Sequence, residues 1–228
     1  MSTELIKKEP AALSTEVMGS LVDDFIPMDK IILPRISVLQ PLSDACANGG
    51  HKAGSYYNNI TTKNLGESFE FIPVGITFGA YKPKDKDKTD DVFCRSSDGV
   101  TNMYGQSCAE CPFGVNYKIW VDGEPPKCQE TVDVIAFETV DKQPAVVTFK
   151  ATSFKEGKRL ATNIKVNRTA QAIRLGSEKV KNDKGTFYVM KVKTSNPVEQ
   201  QDYELALRCR NELKTKKYDV VDDEDMSA

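Results

Sequence analysis

Cys94, Cys108, Cys111 and Cys128 bracket the middle of this chain. The inner two form a C-x-x-C step, Cys108-Ala109-Glu110-Cys111, with another cysteine 14 positions before it and a fourth 17 after it. Two thiolates at the short spacing, joined by two from flanking strands, make the tetrahedral ligand set of a structural zinc. Four thiolates close the coordination shell, so the expectation is one Zn2+ acting as a staple for loops too poor in apolar residues to fold alone. Two other readings stay open: unligated core thiols, and a site in which His51, the single histidine, replaces one cysteine. Cys46 and Cys209 lie outside the cluster and read as buried free thiols.

A catalytic zinc fits less well. Such a site keeps a position open to water and needs a general acid or base nearby. Zinc deaminases pair a proline-preceded C-x-x-C with an upstream H-x-E. Here residue 107 is Ser, and His51 is followed by Lys52-Ala53. There is also no H-x-x-x-H pair and no G-x-x-x-x-G-K phosphate loop. The sequence therefore reads as non-enzymatic.

A second chemistry is stacking. Proteins that hold single-stranded nucleic acid combine a basic track with aromatic platforms, because every base offers a π-face. The candidates are Tyr56 and Tyr57 after a Gly-rich loop, Lys63, Tyr81 with Lys82, and Arg95, Tyr104, Tyr117, Lys118 and Trp120 around the cysteines. Lys150, Lys158 and Arg159 add charge further on. Phe69, Phe71, Phe78, Phe137 and Phe187 alternate on strands and are expected in the core. The lysines of 82–88 alternate with Asp85 and Asp87, which weakens their field.

Charge is polarised. The chain of 228 residues carries 31 basic and 33 acidic groups, a net −2. The last ten residues hold five acids, including Asp222, Asp223, Glu224 and Asp225, and no base. Without them the body has 31 basic groups against 28 acidic, about +3. The tail, 218–228, is too poor in apolar surface to order itself. Tethered to a basic groove, it would compete with polyanions at high effective concentration and recruit partner proteins when displaced.

These groups need a scaffold. With 39% apolar residues and a mean hydropathy of −0.43, the chain can bury a core but holds no stretch suited to a membrane span. No signal peptide is evident at the N-terminus, so a reducing cytoplasm is expected. Residues 1–30 read as a flexible arm and 31–39 as an edge strand or extended segment interrupted by Pro34. Strands are expected at 68–79, 117–121, 131–140, 144–152 and 186–192. A helical segment is expected over 153–175 and a C-terminal helix over about 198–216. The pattern is mainly β with flanking helices. A small oligonucleotide-binding (OB) barrel over 31–217, with a zinc-binding insertion at about 92–130, fits it best; a β-sandwich is the alternative.

Taken together, the four cysteines, the β segments around them and Asp222 to Asp225 resemble the single-stranded-DNA-binding, helix-destabilising proteins of bacteriophages. The resemblance covers roughly residues 31–228. It implies an OB fold with an inserted zinc module and an acidic tail that contacts replication proteins, in the cytoplasm of an infected bacterium. This cluster is all cysteine where the best-known zinc-bearing version uses one histidine, and the tail ends Met226-Ser227-Ala228 rather than in an aromatic residue. The implied function is coating of single-stranded DNA in replication or recombination. The rival is a zinc-stabilised protein that inhibits a host polymerase or defence enzyme. No heptad seam fixes an oligomeric state.

Overall fold

The computed structural model describes residues 32–83, 93–111, 126–167, 170–183, 185–215 and 219–220. The fold is mainly β, an open mixed sheet with a few helices. In chain order the strands are β1 (Ile32–Leu33), β2 (Arg35–Val38), β3 (Tyr56–Asn58), β4 (Asn64–Gly66), β5 (Ser68–Lys82), β6 (Cys94–Ser96), β7 (Gln129–Glu138), β8 (Pro144–Lys150), β9 (Gln171–Asn182), β10 (Gly185–Pro197) and β11 (Asp219–Val220). The helices are α1 (Asp44–Ala47), α2 (Phe154–Asn167) and α3 (Gln200–Thr215).

The main sheet runs β10-β9-β5-β7-β8-β2-β3-β4, with β6 paired to the far end of β5. β5, β7 and β8 form an antiparallel meander, and β9 returns to the free side of β5. That order, fourth strand beside the first, is a Greek key. β10 then pairs along the whole of β9, and β2 pairs with β8 in parallel. The outer edge of β10 is met by side chains instead of a strand. The Gln40 amide bonds the backbone of Tyr188, and Ser153 Oγ accepts the N–H of Met190.

Two apolar layers hold the sheet. On one face Phe69, Phe71, Val132, Val134, Phe149, Ile173 and Leu175 pack with Tyr56 and with Leu160 of α2. Gly157 lets α2 sit close: a Cβ there would lie 2.6 Å from Phe149 Cβ. On the other face α3 places Leu205, Cys209 and Leu213, each about one helical turn after the last, with Ala206 beside them, against Ile72, Val74, Ile135, Phe137 and Val146.

Three expectations change. Residues 171–175, read as the end of a helix, belong to β9, which completes the Greek key. Its middle, Gly176-Ser177-Glu178-Lys179, holds no β-branched or aromatic residue, so the strand is held by pairing with β5 and β10 more than by propensity. Phe78, expected in the core, is 50% exposed. A register shift between Pro73 and Gly75 interrupts the alternation of β5, and Phe78 borders the small cavity lined by the cysteines. Phe187, also expected in the core, is only partly buried and lines the cavity described below. The N-terminal arm, the expected strand at 117–121 and the acidic tail from residue 221 lie outside the described residues. Among those described, no helix is long and apolar enough to cross a membrane.

Candidate nucleic-acid interface

A cavity of about 680 Å3 opens where β2, β3, β8 and β10 converge. Arg35 and Ser37 come from β2, and Tyr57 and Asn59 from β3 and its exit. Thr148 and Lys150 come from β8, and Phe187 and Tyr188 from β10. Successive residues of a strand point to opposite faces, so Tyr56 and Tyr57 part company. Tyr56 is fully buried and its hydroxyl donates to Gly176 O at 3.0 Å. Burial also pushes its phenol well above the usual range. The expectation that Tyr56 stacks on a base is thereby corrected: its ring belongs to the core. Tyr57 is half-buried on the cavity wall, with its ring 5.2 Å from that of His51.

Arg35 is a guanidinium only 3% exposed. Its Nη1 donates to Thr148 Oγ1 at 2.6 Å, and Thr148 Oγ1 donates to Asp133 Oδ1 at 2.6 Å. Arg95 Nη2, from β6, donates to the other oxygen of Asp133 at 2.6 Å. Thr148 and Asp133 are direct cross-strand partners on β8 and β7, which is why they meet. The chain of bonds ties the cavity to the strand that opens the cysteine insertion. Buried charges require this kind of pairing to be tolerated.

Lys150, at the end of β8, places Nζ 4.4 Å from the centroid of the Tyr81 ring, a cation–π contact. Tyr81 in turn meets Phe93 edge-on, ring centres 5.7 Å apart. Tyr57, Lys150, Tyr81 and Arg95 therefore form one connected region in and beside the cavity.

The remaining candidates are dispersed. Lys82 is 3% exposed, so the expectation of a strand-facing ammonium there is corrected; it points inward at the β5–β6 pairing. Lys63 forms an ion pair with Asp141. Tyr104 is exposed in the insertion, its hydroxyl donating to Phe93 O at 2.8 Å. Lys158 and Arg159 are exposed on α2, with Lys158 Nζ 5.5 Å from the Phe154 ring. Tyr117, Lys118, Trp120 and the tail acids Asp222, Asp223, Glu224 and Asp225 lie outside the described residues.

Cys94, Cys108, Cys111 and Cys128 all border a second cavity of about 190 Å3, beside Phe78, Asp98, Asn102 and Thr131. The expected structural zinc is nevertheless overturned. Among the described residues no group of three or more His, Cys, Asp or Glu side chains is placed to hold a metal ion, and all six cysteines are free. Burial first, and then the neighbouring cysteines, raise Cys94 and push Cys128 up to about 11. No chemistry is routed through a metal here.

Arg35, Gln40, Asn59 and Thr148 escaped the sequence reading. Arg35 had a usable signal: a single arginine inside the apolar run Ile31-Ile32-Leu33-Pro34-Arg35-Ile36 marks a charge that must be buried and paired. Asn59 and Thr148 carry no such mark.

No curated protein and no solved structure matches the chain. A family model described as Pam3 phage gp34-like protein matches residues 7–219, which span the arm, the sheet with its insertion, and all three helices. The chain belongs to the Pam3 phage gp34-like protein family.

Proposed function

We propose that this protein binds single-stranded DNA, largely indifferent to sequence, during phage DNA replication or recombination. The proposed role is coating rather than turnover. One observation carries the reading: the main cavity joins a cation, Lys150, to aromatic rings of Tyr57, Phe187 and Tyr188 at one end of the sheet. Cations on the phosphates and rings on the bases are the two components such binding needs.

The topology supports the same reading. Greek-key strands β9-β5-β7-β8, a fifth strand β10, and a helix between the third and fourth are the parts of a partly open OB barrel. β2 and the Gln40 side chain stand in the remaining gap. In this account the acidic tail competes with DNA for the basic groove and engages replication proteins once displaced, an effect that salt screens.

Photocrosslinking tests the placement. An oligonucleotide carrying 5-bromodeoxyuridine should crosslink to peptides containing Tyr57 or residues 148–153 and 187–190. Crosslinks confined to peptides of α2 or α3 would contradict it.

A further inference from the structure

Two adjacent asparagines leave β3 with opposite fates. Asn58 Oδ1 accepts the N–H groups of Ile60 and Thr61 and so shapes the turn. Asn59 Oδ1 accepts the N–H of Arg35 at 2.7 Å. A backbone N–H must face an oxygen, so this bond fixes which way round the Asn59 amide sits. Its Nδ2 is then left as a donor with no hydrogen-bond partner among the described residues, on a side chain 6% exposed at the cavity wall. A buried donor without an acceptor is rare and costly, and calls for an explanation.

We propose that the cavity seats one nucleotide of the bound strand, a carbonyl oxygen of its base accepting a hydrogen bond from Asn59 Nδ2. This rests on the single-strand reading above and adds a base contact to it. The cavity volume, about 680 Å3, lies within the range of small-ligand sites, about 300–1,000 Å3. Tyr57 offers a ring to the base and Lys150 a positive charge for the phosphate, on a wall that the carboxylate of Asp44 shares; Arg35 lies beneath it, bonded to Thr148. Thymine, cytosine and guanine carry a carbonyl oxygen and adenine carries none. Asn59 thus supplies a modest preference at one position of an otherwise sequence-tolerant groove.

The test titrates labelled oligo-dT and oligo-dA with the full chain, as wild type, Asn59→Asp and Lys150→Ala. Asn59→Asp keeps the acceptor for Arg35 and the side-chain size but replaces the donor by an oxygen. Its added charge and any change in strand stacking affect both oligonucleotides, so the dT:dA affinity ratio isolates the base contact. That ratio should fall by about threefold to tenfold in Asn59→Asp, the loss of one neutral hydrogen bond. Lys150→Ala should weaken both oligonucleotides and leave the ratio unchanged. A second readout needs no variant: wild type should bind less tightly to an oligonucleotide whose thymines are replaced by difluorotoluene, an isostere without carbonyl oxygens. A folded Asn59→Asp with the wild-type ratio, or equal binding of the isostere, would overturn the base contact alone. A wild type that binds neither oligo-dT nor oligo-dA would sink the single-strand reading, and this contact with it.

Discussion

The side-chain amide of Gln40 bonds both backbone atoms of Tyr188: Nε2 donates to the carbonyl at 3.0 Å and Oε1 accepts the N–H at 2.9 Å. One glutamine thus supplies the pair of bonds that a neighbouring strand residue would otherwise provide, on the outer edge of β10. An unpaired edge is a liability in any sheet. Gln40→Ala removes both bonds from a partly buried site and is expected to lower the unfolding free energy by about 1–3 kcal/mol. Urea denaturation measures it, and Gln40→Glu, which loses the donor alone, should fall between the two.

Gly157 tests how α2 docks. On helix propensity alone, Gly→Ala stabilises a helix interior by about 1 kcal/mol. Here the added Cβ would sit 2.6 Å from Phe149 Cβ and 3.0 Å from Val132 Cβ, both on the sheet. Overpacking of this kind costs about 1–3 kcal/mol, so Gly157→Ala should lower the melting temperature. A rise would mean that α2 is held more loosely than its contacts indicate.

Asp133 joins Thr148 to Arg95 in a largely buried network. Removing one partner of a buried ion pair costs about 3–5 kcal/mol, because the other charge keeps its desolvation penalty. Asp133→Asn should therefore destabilise the fold far more than an exposed change such as Lys158→Ala. Comparing the two by thermal unfolding checks the ranking.

Alkaline pH probes the buried thiols. Burial pushes Cys128 and Cys209 up to about 11 from an ordinary 9.0. Both pKa values are raised in the fold, so their contribution to stability is complete below pH 9 and is lost as the pH climbs towards 11. Under reducing conditions the urea midpoint should fall between about pH 9 and pH 11. The fall should be smaller in Cys209→Ala, which removes one of the two groups.

What could be read in advance followed burial periodicity. The strands at 68–79, 131–140 and 144–152 stood out because their residues are β-branched or aromatic, and each lies at the centre of the sheet. β9 did not, since its Ala, Gly and Lys residues are held by neighbours on both sides. Tyr57 and Lys150 could be named from chemical type alone, and both line the main cavity. Tyr56 and Lys82 were misplaced because type says nothing about which face of a strand a side chain takes; register decides that. The zinc expectation failed for a related reason: sequence spacing can bring four cysteines to one cavity without giving them ligand geometry. Arg35 and Asn59 come together at the cavity only through the pairing of β2, β3 and β8.

The central claim is single-strand binding in the main cavity. Fluorescence-anisotropy titration of labelled oligo-dT against a matched duplex, with the full chain at low and moderate salt, tests it most directly. The account predicts clear preference for the single strand, weakening as salt rises, and a further loss in Tyr57→Ala with the fold intact. Equal binding of strand and duplex, or no binding of either at low salt, would contradict it.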